Sequence, residues 1–167
     1  MIVHPIEPVY DNHSKILILG SFPSVKSRES GFFYGHPRNR FWKILAALYG
    51  EETPETVEEK KRFLLKNHIA VWDVIERCEI TGSSDTSIRD VIPNDIGRIL
   101  KETEIERIFV NGKTAEKYYR KYLEKKTGIK AVCLPSSSPA NAAKTLDDLV
   151  REWRALMEEV AEHLQCR

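Results

Sequence analysis

The chain is short of cysteine, of net charge and of long apolar runs, and each shortage removes a class of protein. Among its 167 residues the cysteines are Cys78, Cys133 and Cys166. Their number is odd and no two are close, so neither a disulfide framework nor a zinc or iron–sulfur pattern is visible. Free thiols suit a reducing cytosol, and a cytoplasmic location is expected. Cys133, inside an apolar run, is expected in the core. No stretch approaches the roughly 18 apolar residues of a membrane span. The opening MIVHPIEPVYDN lacks the charged head and apolar block of a signal peptide. With 26 Lys and Arg against 25 Asp and Glu, the net charge is +1, which excludes a uniformly basic nucleic-acid binder but leaves room for a local basic face. His4, His13, His68 and His163 have no histidine or carboxylate at metal spacing, so no metal and no cofactor are expected.

What is present is an alternation of short apolar runs with helical patterns. Residues 15–21, 69–74, 107–111 and 130–134 are nearly continuous apolar runs, as strands covered on both faces require. Between them, residues 40–49, 57–66, 95–102 and 114–124 read as helices, with Asn94 as a cap for the third. Leu146, Leu149, Val150, Trp153, Leu156, Met157, Val160 and Leu164 recur at three and four residues and predict a last helix. Ser138 before Pro139 suits a cap followed by proline in a first turn. Strands alternating with helices predict an α/β fold: a single-domain three-layer sandwich over residues 1–167, with a central four-stranded parallel sheet flanked by helices. Residues 77–95 are the least regular and are expected to form a loop.

Three motifs lie where such a fold places its ligand, beyond the carboxyl ends of the strands. The stretch 20–42, GSFPSVKSRESGFFYGHPRNRFW, sets Lys26, Arg28, Arg38 and Arg40 against the single acid Glu29. It also carries six aromatic rings, Phe22, Phe32, Phe33, Tyr34, Phe41 and Trp42, and a site that stacks bases and neutralises phosphates uses both classes. Phe41 and Trp42 open a helical apolar face and are expected in the core, which leaves Tyr34 as the stacking candidate. Asn39 stands at the start of that helix. Leu134-Pro135-Ser136-Ser137-Ser138-Pro139-Ala140-Asn141 makes a hydroxyl-rich loop able to bond phosphates. Asn111-Gly112-Lys113-Thr114 lacks the glycine-rich approach of a phosphate loop, and nothing around Ser24 matches a nucleophile elbow. Asp73 and Asn111 lie at strand ends that could border a pocket.

Together GSFPS, FFYGHPRNRFW, VWDV, FVNGKTA and LPSSSPAN resemble the motifs of the uracil-DNA glycosylase superfamily, most closely its hypoxanthine-DNA (deoxyinosine) glycosylase branch. The resemblance implies a monofunctional repair enzyme that flips a deaminated base out of double-stranded DNA and hydrolyses its glycosidic bond, leaving an abasic site. It implies a monomer, nucleoid-associated in a prokaryote. By the same resemblance Asn39 is catalytic, and Gly20, Ser21, Phe22 and Tyr34 bind the base. Ser24, Lys26, Arg28, Arg38, Ser136, Ser137, Ser138, Ala140 and Asn141 contact DNA. Two departures stand out. Phe22 replaces the water-positioning Asp or Asn of many members, and Leu134 replaces the histidine of the uracil-specific ones. Both argue for the hypoxanthine branch. A uracil or mismatched-thymine glycosylase is the near alternative, and a non-catalytic nucleotide or nucleic-acid binding module the distant one.

Overall fold

The computed structural model describes residues 1–158. In it the strands β1 (Ile2–Val3), β2 (Ile16–Gly20), β3 (Ile69–Asp73), β4 (Ile75–Glu79), β5 (Arg89–Pro93), β6 (Arg107–Asn111) and β7 (Val132–Leu134) form two sheets. The helices are α1 (Val25–Ser30), α2 (Phe41–Tyr49), α3 (Val57–Lys66), α4 (Ile96–Glu102), α5 (Lys113–Tyr122), α6 (Glu124–Thr127) and α7 (Leu146–Trp153).

The central sheet is parallel throughout and runs in the order β3-β2-β6-β7. Two of its apolar runs, β2 and β3, explain this arrangement. All of β3 and four of the five residues of β2 are buried, so both faces of these strands need covering, and helices flank the sheet. β2 pairs with β3 from Ile16↔Ile69 to Gly20↔Asp73. The register therefore sets Gly20 and Asp73 side by side at the carboxyl edge. The other edge of β3 is covered by the N-terminal segment, where Val9 and Val71 exchange hydrogen bonds of 3.0 and 2.9 Å.

Four local features differ from expectation. Residues 77–95 hold β4 and β5, which join β1 in a small antiparallel sheet, and only the turn between them is irregular. These strands are as long as β2, β3 and β6 but largely exposed or half-buried, so they lack the continuous apolar signal of the central sheet. A short helix, α1, interrupts the stretch 20–42, with Ser24 as its cap. Asn94 is not a cap: it is buried and its amide donates to the carbonyls of Asp73 (2.9 Å) and Ile75 (3.2 Å), while Asp95 precedes α4. Cys133 lies on the edge strand β7 and is only half-buried.

The last helix starts seven residues later than the Ser138-Pro139 signal suggests. Ser138 and Pro139 sit in a turn, and Thr145 caps α7 through a reciprocal pair with Asp148: each side chain accepts from the other's N–H. A 3₁₀ turn then carries the chain to Met157; Val160 and Leu164 fall outside the described residues. The N–H of Thr145, with help from Arg151, holds the Asp148 carboxyl down at about 2. A carboxyl lowered on folding stabilises above its ordinary value of 3.8 and loses that contribution as the pH falls through its folded value. Asp148→Ala is therefore expected to lower Tm at pH 7, with the difference from the parent narrowing between pH 4 and pH 2; thermal denaturation across that range checks it.

A candidate active site at the carboxyl ends of the parallel strands

The ends of β2, β3 and β6 and the loop after β7 enclose a pocket of about 400 Å³. Gly20, Ser21 and Phe22 form one wall, Tyr34 and Asn39 another, Asp73 and Asn111 the strand-end floor, and Ser136 to Ser138 the far side. The loop between β4 and β5 reaches its rim through Ser83 to Thr86. Burial raises the Asp85 carboxyl above its ordinary value there. The pocket thus gathers the three motifs that are far apart in sequence.

At its centre is the hydroxyl of Ser137, which is 1% exposed. Ser137 Oγ donates to Asn39 Oδ1 at 2.8 Å and accepts from Asn111 Nδ2 at 3.0 Å, while its backbone N–H donates to Asn111 Oδ1 at 3.0 Å. Asn39 Oδ1 also accepts from the N–H of Phe41, at 3.0 Å. The carbonyl of Asn39 thus has both lone pairs engaged, and its orientation is fixed. With the carbonyl so engaged, it is not free to orient a water. The amide N–H groups, which have no partner among the described residues, are the part left to meet a ligand.

Arg40, next in sequence, anchors the facing loop. Its N–H donates to Ser137 O at 3.1 Å. Its guanidinium donates to the carbonyls of Ser138 (2.8 Å), Asn141 (3.0 Å) and Lys144 (2.5 Å). Within that loop Ser136 Oγ accepts from the Ser138 N–H and Ser138 Oγ from the Ala140 N–H, each at 3.1 Å. Each of these hydroxyls keeps its own hydrogen for an outside acceptor. Asn141 is structural: its amide bonds Ser136 O at 3.0 Å and it does not line the pocket. Ala140 is exposed at the rim.

Tyr34 lies with its ring on Phe41, centroids 3.9 Å apart and planes within 17°. Phe41 and Trp42 are buried, as expected. The Tyr34 hydroxyl is enclosed without a partner, and burial, with the charge of Asp73 nearby, raises it far above the usual phenol value. Gly20 is required here: a Cβ at that position would run into Asp73 Oδ1 and sit 2.9 Å from Tyr34 Oη. Phe22 lines the pocket and Leu134 is buried away from it, so neither position presents a polar catalyst.

The basic residues divide. Lys26 and Arg38 are exposed. Arg28 instead turns inward, donating to Gly82 O at 3.0 Å with its guanidinium 5.6 Å from the Phe22 ring centre, so it braces the rim loop. Ser24 Oγ caps α1 and also bonds Ser27 Oγ.

Sequence reasoning missed one pair. His4 Nδ1 accepts from the N–H of Ile6 at 3.1 Å, so its proton is on Nε2, which donates to Asp73 Oδ2 at 2.7 Å. Both side chains are almost wholly buried, at 2% and 5% exposure, and the imidazole stands among Phe22, Phe33 and Trp72. The two residues are 69 apart in sequence, and no local spacing joins them. Asp73 was legible as a strand-end residue that could border a pocket; its pairing with His4 was not.

A strand-end pocket with a locked amide, a hydroxyl-rich loop and an exposed basic flank makes this an α/β protein with a polar cleft beyond the ends of its parallel strands. The comparisons with known proteins narrow that class. The model of the uracil DNA glycosylase superfamily matches residues 7–162. A hypoxanthine DNA glycosylase of Methanosarcina acetivorans is 36% identical over 159 residues, 93% of this chain and 98% of that one. One from Methanosarcina barkeri is 34% identical, covering 80% and 85%. A solution NMR structure from M. acetivorans, described as a candidate uracil DNA glycosylase, has a TM-score of 0.78 at 32% identity, over 95% of this chain and all of the other. The chain belongs to the uracil DNA glycosylase superfamily.

Arg40→Lys keeps the charge but cannot span three carbonyls. It is expected to cost about 1–3 kcal/mol of stability, the scale of lost charge-assisted bonds, measured by denaturant unfolding.

Proposed function

We propose that this protein is a monofunctional DNA glycosylase that removes hypoxanthine from double-stranded DNA by hydrolysing the N-glycosidic bond. The observation that carries this reading is the locked Asn39, whose carbonyl is held by Ser137 and Phe41 and whose amide donors are left facing the pocket. The names of the two Methanosarcina relatives support hypoxanthine as the base. We further infer that the chain works as a single domain over residues 1–167, as a monomer, in the cytoplasm; among the described residues no helix is long and apolar enough to cross a membrane.

Flipping a base from the stack costs a few kcal/mol, least where the base is mispaired. Cleavage then builds positive charge on the sugar and negative charge on the departing base. Preorganised donors aimed at that charge stabilise the transition state without reorganising. The Asn39 amide is such a donor, held by a buried network rather than by solvent. An amide does not titrate, so the reaction runs dissociatively, with water trapping the sugar cation. Among the described residues no lysine lines the pocket, which supports hydrolysis over Schiff-base chemistry. Ser136 and Ser138 offer their hydroxyl hydrogens to the flanking phosphates, with Lys26 and Arg38 attracting the duplex.

The test uses duplexes carrying single deoxyinosine, deoxyuridine, deoxyxanthosine or a G·T pair, with alkali cleavage of the abasic product. Cleavage at inosine is expected; none would sink the reading, and faster cleavage at uracil would favour the uracil branch. Asn39→Asp keeps the oxygen that Phe41 and Ser137 need and removes the donor. It should keep the fold and duplex affinity yet lose at least about 100-fold in single-turnover rate, the scale for one lost oxyanion-type donor. Mutating both Lys26 and Arg38 to Ala should leave the single-turnover rate in place and reduce the salt slope of duplex binding by about 2.

A further inference from the structure

We propose that His4 and Asp73 together read the base edge: His4 pins one carboxylate oxygen so that the other faces the pocket as an acceptor, selecting a base whose ring nitrogen carries a hydrogen. The proposal rests on the glycosylase reading for its substrate and on the geometry of the pair for its content.

Asp73 lines the pocket although its residue is 3% exposed. Every neighbour holds it in place. Its backbone is fixed in the β2–β3 register and by Asn94, which donates to its carbonyl. Its Oδ2 takes the His4 proton. Its Oδ1 lies beside the Cα of Gly20, which has no side chain, with Tyr34 Oη bordering the same space, and it has no hydrogen-bond partner among the described residues. A buried carboxylate with one satisfied and one open oxygen is costly unless something donates to it. His4 cannot turn to serve otherwise, because the Ile6 N–H occupies its Nδ1 and three aromatic rings enclose it. The N-terminal segment is held to the antiparallel sheet by the pairing of β1 with β4 and to the central sheet by the Val9–Val71 bridge, so the imidazole is delivered by the fold.

Hypoxanthine presents N1–H to such an acceptor. Adenine presents a bare N1 lone pair, which would meet the carboxylate oxygen and repel it. A site built to accept a substrate N–H rejects the analogue lacking it strongly, because buried groups are left unpaired. The pair would thus guard the undamaged purine that fills normal DNA.

The role of His4 is to set polarity, and this gives a test that a merely structural role fails. In Asp73→Asn, the His4 Nε2–H should hold the new amide by its carbonyl, turning NH₂ toward the pocket. A donor would then face the N1–H of hypoxanthine, and single-turnover excision of deoxyinosine should fall by at least about 100-fold, the scale of unpaired buried groups. Adding His4→Phe removes the pin, lets the amide flip and present its carbonyl, and should restore at least about tenfold of the loss, about 1.4 kcal/mol. His4→Ala in the same background repeats the test should the larger ring not fit, with thermal melts confirming that each variant folds. An Asp73→Asn rate within a few fold of the parent overturns the proposal, as does a folded double variant no faster than the single one.

A readout without turnover separates this from the activity. Anisotropy with uncleavable 2′-fluoro-deoxyinosine and 2′-fluoro-deoxyadenosine duplexes should show the parent preferring inosine and Asp73→Asn losing that preference. Equal grip on both by the parent overturns the edge reading. Preference without any cleavage would leave the pair standing and sink the proposed activity.

Discussion

The hydroxyl of Ser137 is the joint on which the site depends. It is the one group bonded to both asparagines of the pocket, taking a proton from Asn111 at the end of β6 and giving one to Asn39 at the start of α2. Those partners are 26 and 98 residues away. A buried network of this kind is valuable only when complete, since each unsatisfied member costs about 1–3 kcal/mol. Here it is complete on the structural side and open on one side only, at the Asn39 amide. That opening is what turns a packing device into a chemical group.

The rest of the architecture keeps that joint in place. The parallel register aligns Gly20 with Asp73, and Gly20 has no side chain because a carboxylate and a phenol already crowd its Cα. Arg40 ties the loop after β7 to the start of α2 through four hydrogen bonds, one from its backbone and three from its guanidinium. Trp153 of the last helix donates to Pro135 O at 2.9 Å and meets Phe41 edge-on. The Asn39 wall of the pocket is therefore buttressed from behind by a helix that takes no part in the pocket.

The central sheet was legible because its strands carry continuous apolar runs, and periodicity detects those directly. The antiparallel sheet was not, since Ile2–Val3 is too short to show a period and β4 and β5 alternate incompletely. The Ser138-Pro139 signal misled because cap chemistry also makes turns, and the reciprocal Thr145–Asp148 box lay a few residues on. That Asn39, Tyr34 and Ser137 come together at one pocket was legible from their motifs. Arg28 looked like a phosphate contact by charge alone, but packing turned it against Phe22 and Gly82. His4 was illegible because its meaning lies wholly in a tertiary contact.

The Tyr34–Phe41 pair has a consequence for the economy of base flipping. Two parallel rings 3.9 Å apart, with Trp153 set edge-on behind them, amount to a short column of aromatic layers built into the protein wall. A nucleobase leaving the duplex forfeits its neighbours above and below. One that came to rest on Tyr34 would become the top layer of a second column, assembled from side chains before the substrate arrives. The helix and the pocket are then two racks for the same kind of plate, and extrusion becomes a transfer between them rather than a loss to solvent.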